Sequence, residues 1–218
     1  MVDWQSIDTV MLDMDGTLLD LHFDNYFWTQ HLPQRYAEIH GQPFADVRSR
    51  LEQQIAAEQG QLKWYCLEYW SETLNLDIRA LKVEIQHKIQ IRPHVEEFLN
   101  RLRVAGKQAI LVTNAHPQSM SLKFELTDLD QWLDLVISSH EFKHPKEAQE
   151  FWHSLAERVP FNAERTLFVD DTLRVLDSAR DYGIGHLLAI HQPDSYIERR
   201  VKGYPAIQHF SEIMPPVA

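Results

Sequence analysis

Four short apolar runs, each ending in polar and potentially reactive residues, constrain this chain more than any other feature. Thr9-Val10-Met11-Leu12 leads into Asp13, Gln108–Val112 into Thr113-Asn114, Leu133–Ile137 into Ser138-Ser139, and Thr166–Val169 into Asp170-Asp171. A fifth run, His186–Ile190, follows later. The runs are rich in Val, Ile and Leu and do not alternate with polar residues, so they read as strands covered on both faces. Helical patterns lie between them. Val95–Ala105 carries Val95, Phe98, Leu99 and Leu102 at helical spacing and stops at Gly106; Glu147–Val159 and Leu173–Tyr182 are similar, the latter stopping at Gly183. Strands alternating with helices force right-handed crossovers and a parallel sheet.

Residues from about Leu21 to Ile91 break this rhythm. They hold no convincing strand and offer Asn25–His40, Phe44–Gln59, Leu62–Leu74 and Ile78–Gln90 as helices, with Asp77 placed to cap the last. The expectation is an α/β fold: a Rossmann-like parallel-sheet core of residues 1–20 and 92–218, with a helical cap of residues 21–91 inserted after the first strand. A length of 218 residues accommodates one large domain or a core with a smaller insert.

Composition narrows the function classes. The formal net charge of −11 repels a polynucleotide backbone, so a nucleic-acid polymer is not an expected partner. One cysteine, Cys66, excludes an intrachain disulfide and argues against a cysteine-based zinc site. The chain has no apolar run of about 18 residues, and Met1–Gln5 has neither a basic start nor an apolar stretch. A cytoplasmic protein without membrane contact is therefore expected. The 12 histidines are scattered, with no His-Glu-x-x-His pattern, and read as surface or packing residues.

The strongest chemical signal is Asp13-Met14-Asp15-Gly16-Thr17, directly after the first strand. Open parallel sheets bind ligands beyond the carboxyl ends of their strands. Two carboxylates at i and i+2 before a turning glycine allow one to act as nucleophile or ligand while the other handles protons. Thr113-Asn114, Lys146 and Asp170-Asp171 fall at or near the same rim. Crowded carboxylates need a counter-charge, and oxygen-only donors select a hard cation such as Mg²⁺. Lys146, Thr113 and backbone N–H groups are then placed for phosphate oxygens. This is equipment for phosphoryl transfer.

In these four motifs, in this order, the chain resembles the haloacid dehalogenase superfamily over nearly its whole length. The resemblance implies that Asp13 is the nucleophile forming an aspartyl-phosphate. It makes Asp15 the general acid for the leaving oxygen and then the base for water, with its backbone carbonyl joining the metal. Thr113 and Asn114 of the second motif and Lys146 of the third hold the phosphate. Asp13 and Asp170 ligate Mg²⁺, and Asp171 assists from beyond the ligand set or through water. One departure is present: the family often has Lys followed by Pro, whereas here the order is Pro145-Lys146, with Lys143 as competitor. Lys146, just ahead of the helix start predicted at Glu147, is preferred. Dehalogenases proper need neither Mg²⁺ nor a second Asp, so by this resemblance Asp15 with Asp170-Asp171 points to phosphoryl transfer, with hydrolysis the commoner outcome in the family.

The segments Leu12–Trp28, Trp64–Leu76, Thr113–Pro117 and Arg165–Asp171 are further similar to the bacterial purine 5′-nucleotidase branch of that superfamily. The resemblance implies a small-molecule partner, GMP or IMP. Nothing in the spacing shows purine recognition. The clusters Phe23–Trp28 and Trp64–Trp70 carry aromatic faces able to stack on a base, while Trp64, Leu67, Trp70 and Leu74 equally follow the spacing of a cap core. Asn25, Tyr26 and His116 are candidate substrate contacts. A sugar-phosphate phosphatase or phosphomutase shares the same motifs, and a catalytically silent binding protein on this fold has no need to keep them.

Overall fold

The apolar runs become parallel strands, and their register sets the site. In the computed structural model, which describes residues 2–216, they are β1 (Thr9–Leu12), β2 (Gln108–Thr113), β3 (Leu135–Ser138), β4 (Thr166–Asp170), β5 (His186–Ile190) and β6 (Ala206–Ile207), in the spatial order β3-β2-β1-β4-β5-β6. Met1, Val217 and Ala218, at the ends of the two predicted core segments, lie outside the described residues. Leu12 pairs with Leu111 on one side and Val169 on the other, so Asp13 and Asp170 leave adjacent strands side by side.

Both faces of the sheet are covered, which is why its strands do not alternate. Val10, Leu12, Leu111, Leu167, Val169 and Leu188 pack with Val95, Phe98, Leu99 and Leu102 of α6 (Val95–Val104) and with Met120 of α7 (Pro117–Thr127). Their sequence neighbours Met11, Ile110, Val112, Phe168 and Ala189 pack on the opposite face against Phe151, Trp152 and Leu155 of α8 (Gln149–Arg158) and Val175, Leu176 and Ala179 of α9 (Leu173–Tyr182). Successive side chains point to opposite faces, so in the central strands each residue of a run meets an apolar layer.

Some boundaries differ from the sequence reading. β3 begins two residues later than its apolar run, because Asp134 caps the neighbouring strand: its carboxylate accepts from Ala109 N–H at 2.7 Å. α8 begins at Gln149 rather than Glu147, whose side chain is drawn into the site described below. Helix α7 and strand β6 were not anticipated.

The inserted segment is helical throughout. α1 (His22–Tyr26) runs through one widened π-turn (Phe27–His31) into α2 (Leu32–His40). Pro33 lies just beyond that turn; it has no N–H to give Thr29 and crowds the Thr29 carbonyl. After α3 (Phe44–Ala57), the expected helix Leu62–Leu74 is broken at Cys66, whose backbone is extended, into a 3₁₀ turn and α4 (Leu67–Leu74). α5 (Ile78–Glu84) is shorter than expected but starts at the predicted cap, Asp77 accepting from Ala80 N–H at 2.9 Å. Phe23, Phe27, Leu32, Val47, Leu51, Leu67, Trp70, Leu74 and Ile78 form a core of their own, joined by Leu122 of α7.

The chain enters and leaves this segment through two strands of backbone lying together. Asp20 N–H donates to Gln90 O and Arg92 N–H to Leu18 O, both at 2.9 Å, around an antiparallel Leu19–Ile91 bridge. The buried Arg92 guanidinium donates to the carbonyls of Gln192 (2.7 Å), Pro193 (2.9 Å) and Gln208 (3.1 Å). Among the described residues, no helix is long and apolar enough to cross a membrane.

Candidate active site

The strand order reverses between β1 and β4, and a crevice at such a switch point is where open α/β sheets bind ligands. Asp13 and Asp170 occupy its two lips. Carboxylate oxygens of Asp13, Asp170 and Asp171 lie within 4.8 Å of one another. Lys146, approaching from the loop before α8, donates from its buried ammonium to Asp13 Oδ1 (2.6 Å), Asp170 Oδ2 (2.7 Å) and the Val112 carbonyl (3.0 Å). Lys143 is exposed, on a turn with φ of 61°.

Several groups hold that lysine in place. Trp152, fully buried, donates from Nε1 to the Lys146 carbonyl at 2.9 Å and to Ser178 Oγ at 3.0 Å. Asn114 Oδ1 accepts from Lys146 N–H at 2.9 Å, and Asn114 Nδ2 donates to Glu147 at 2.9 Å. The Asn114 side chain is thus committed to the lysine loop. Thr113 Oγ1 accepts from Ala115 N–H at 3.0 Å, which leaves its hydroxyl proton free for another acceptor.

Gly16 allows the acids to converge. Its φ is +86°, and a Cβ there would lie 2.8 Å from Asp171 Cγ and 2.9 Å from Pro193 Cβ. Both the backbone conformation and the space require glycine.

Burial dominates the electrostatics. It pushes Asp13 up to about 7, with Asp170 and Asp15 adding to the effect against the pull of Lys146. Burial and the Asp171 charge take Asp170 to about 6 against Lys146. Burial and Asp13 take Asp171 to about 7 against Arg199 and Lys146. Of the three buried carboxylates, Asp13 and Asp170 share one ammonium at hydrogen-bond distance, while Asp171 faces the Arg199 guanidinium at 3.9 Å. An all-oxygen, charge-deficient donor set of this kind fits a hard divalent cation of the Mg²⁺ type.

Above the acids lies a cavity of about 350 Å³, a size suited to a small organic ligand. Its floor includes Asp13, Asp15, Thr113, Lys146 and Asp170; its walls include Asn25, Trp28, Trp64, Tyr65, Trp70 and His116. The aromatic cluster thus forms both the core of the inserted segment and the cavity wall, with Trp28 edge-on to Trp70 at 5.7 Å. Of the three candidate substrate contacts, Asn25 and His116 reach the cavity and Tyr26 does not. The Tyr26 ring packs under the Lys88 ammonium at 4.2 Å, and Trp28, two residues on, faces the cavity instead.

The seam between sheet and insert is polar. Tyr65 OH donates to Glu147 (3.0 Å), Gln118 Nε2 donates to Glu68 (2.9 Å), and Asn25 Nδ2 donates to Asp194 (2.7 Å). Cys66, Glu68 and His116 also meet at this seam. His116 Nδ1 accepts from Gln118 N–H at 3.3 Å, so Nε2 is the donating nitrogen, 2.6 Å from Glu68. That assignment gives the trio a hydrogen-bonded latch and leaves no free imidazole lone pair for a metal.

Four functional candidates lie outside the sequence reading: Glu147, Asp24, Lys82 and Lys123. Lys82 falls four residues after Ile78 on the buried stripe of α5, and Lys123 three after Met120 on α7. A lysine on an apolar helical stripe was the available signal for Lys82; α7 has no clean apolar period to carry one for Lys123.

Fold and strand-end acids define a hydrolase of the aspartate-at-the-switch-point class, and the chain belongs to the haloacid dehalogenase-like hydrolase family, whose model matches residues 7–183. Over 215 residues it is 44% identical to the GMP/IMP nucleotidase YrfG of Escherichia coli (strain K12), covering 98% of this chain and 97% of that one. It is 22% identical over 191 residues to the phosphorylated carbohydrates phosphatase of Thermotoga maritima, covering 84% and 85%. In fold it matches the crystal structure of a HAD phosphatase from Thermococcus onnurineus with a TM-score of 0.78 at 22% identity, covering 95% and 96%.

Proposed function

We propose that this hydrolase is a divalent-metal-dependent 5′-nucleotidase that releases phosphate from purine nucleoside monophosphates, GMP and IMP. The observation that carries the chemistry is the convergence of Asp13, Asp170, Asp171 and Lys146 beneath an aromatic-walled cavity. The 44% identity to a GMP/IMP nucleotidase over nearly both chains supports the substrate. Residues 21–91 act as a cap domain over a core of residues 1–20 and 92–218. The absence of a second cysteine supports a reducing, cytoplasmic setting.

In this mechanism an Asp13 carboxylate oxygen attacks phosphorus and the ester P–O bond breaks. Asp15 delivers a proton to the departing 5′-oxygen. Asp15 then takes a proton from water, which attacks the aspartyl-phosphate, frees inorganic phosphate and restores Asp13. Lys146 and the Thr113 hydroxyl hold phosphate oxygens; Asn114 serves by fixing the lysine loop. Mg²⁺ would be held by Asp13, Asp170 and the Asp15 carbonyl, with Asp171 beside them, and would supply neutralisation of the phosphate charge. Trp28, Trp64 and Tyr65 offer faces for the purine, Asn25 offers its amide oxygen at the rim, and His116, its ring nitrogens taken up by Gln118 and Glu68, lines the wall.

The test is a panel of GMP, IMP, AMP, pentose phosphates and hexose phosphates with added Mg²⁺, run on wild type and on Asp13→Asn. Release of phosphate from GMP and IMP, lost in the variant, is expected. Preference for sugar phosphates overturns the purine assignment; near-native turnover by Asp13→Asn overturns the covalent route.

A further inference from the structure

Four charges, two buried lysines and two partly buried aspartates, alternate in sign from the reactive loop into the helical insert, and the mechanism above uses only the first. Lys123 of α7, 2% exposed, donates to Asp15 Oδ1 at 2.6 Å and to Asp24 Oδ2 at 2.7 Å. Lys82 of α5, also 2% exposed, donates to the other Asp24 oxygen, Oδ1, at 2.6 Å. Phe23, Phe27 and Trp28 surround the Lys82 ammonium, with ring centroids 5.1, 4.8 and 5.6 Å away. Asp24 stands on α1 and Lys82 on α5, both in the insert; Lys123 and Asp15 belong to the sheet-bearing part.

Buried ion pairs are costly to assemble and are weak devices for stability alone. Two buried lysines meeting at one aspartate beside the reactive loop call for another role. Burial raises Asp24, but Lys123 and Lys82 outweigh it and hold the carboxyl well below the usual range, so Asp24 stays charged. Burial lowers Lys123, but Asp15 and Asp24 together hold it above its ordinary value. The Asp15 carboxylate itself remains partly accessible, at 21% exposure.

We propose that Lys123 is a positioning residue for Asp15: anchored by the Asp24–Lys82 pair of the seated insert, its ammonium fixes the Asp15 carboxylate in the orientation from which it serves the leaving oxygen. Asp24 is the contact through which the insert reports its position to the reactive loop. When the insert lifts, the Asp24–Lys123 contact is lost and Asp15 is released from that orientation. This inference rests on the phosphatase reading and on Asp15 as proton donor.

The experiment compares two esters. A nucleoside leaving group needs a proton; p-nitrophenolate departs without one. kcat/KM, which covers the steps through departure of the leaving group, is measured for GMP and p-nitrophenyl phosphate in wild type, Lys123→Met and Asp24→Asn, with circular dichroism to check the fold. Loss of orientation at a proton donor is expected to lower kcat/KM for GMP by about 10²-fold in Lys123→Met. The value for p-nitrophenyl phosphate is expected to change less than about threefold, since proton delivery contributes little to that ester. Asp24→Asn, which keeps its shape, shifts the ratio of the two values in the same direction by a smaller factor. Equal losses on both esters in a folded variant, or no loss on either, overturn the positioning role while leaving the phosphatase reading intact. Should Lys123→Met not fold, the ratio in Asp24→Asn decides, and an unchanged ratio overturns the proposal. A wild-type protein inactive on both esters overturns the phosphatase reading and the proposal with it.

Discussion

Replacing Gly16 by alanine tests whether the reactive loop is as tightly fitted as its geometry implies. At φ of +86° any side chain is strained, and the new Cβ would stand 2.8 Å from Asp171 Cγ and 2.9 Å from Pro193 Cβ. The conformational term costs about 1–2 kcal/mol. Forcing a methyl into filled space adds about 1–3 kcal/mol. Together they give a loss of roughly 2–5 kcal/mol, or a Tm lower by roughly 4–20 °C at about 2–4 °C per kcal/mol. The contacts are asymmetric in consequence. If Pro193 gives way, the cost is purely in stability. If Asp171 gives way, the acid cluster opens and the Mg²⁺ concentration for half-maximal turnover rises. Thermal unfolding without metal, followed by Mg²⁺ titration of GMP hydrolysis, separates the two. A variant that melts within about 1 °C of wild type, with an unchanged Mg²⁺ requirement, refutes the argument for both strain and contact.

Trp152→Phe removes the donor to the Lys146 carbonyl and to Ser178 Oγ; a loss of about 1–3 kcal/mol is expected in urea unfolding, with a lower kcat as the lysine loop loosens. Chelation is expected to abolish turnover and Mg²⁺ to restore it. Mg²⁺ at about 100 times its Kd stabilises wild type by roughly 2.7 kcal/mol, and Asp170→Asn loses that stabilisation. Burial, with the neighbouring His116 adding to it, depresses His140 from 6.5 to about 4. The unfolded chain therefore binds the proton first, so His140 contributes stability that is full above pH 6.5 and lost as pH falls toward 4. His140→Gln is expected to flatten the pH dependence of the urea midpoint across that window; an identical slope in the two proteins counts against it.

The sheet was legible because its central strands β1, β2 and β4 are buried on both faces, which leaves a mark in sequence that no amphipathic element leaves. Since the same register that pairs Leu12 with Val169 brings Asp13 beside Asp170, reading strand ends was enough to gather the acids. Helix α7 escaped notice because its buried side includes Ser119 and Lys123 alongside Met120 and Leu122, so no clean apolar period survives. β6 is two residues long and has no period to read. Tyr26 was chosen where Trp28 faces the cavity: at about 100° per residue the two point apart, and an aromatic run does not disclose its own phase. Asp24 and Lys123 were hidden for a different reason. A charged residue is ordinarily solvated, and only the tertiary structure shows Asp24 and Lys123 meeting Lys82 in a largely enclosed site.

The paired backbone crossing at Leu18–Asp20 and Gln90–Arg92, bolted by one guanidinium to the carbonyls of Gln192, Pro193 and Gln208, has a corollary. Both ends of the insertion leave the scaffold at a single, independently braced doorway. A different set of helices at that doorway would leave intact the strand register that sets Asp13 beside Asp170, while replacing the contact that reaches Asp15. The insert's walls and the reaction's acids are thus carried by separable parts of the chain.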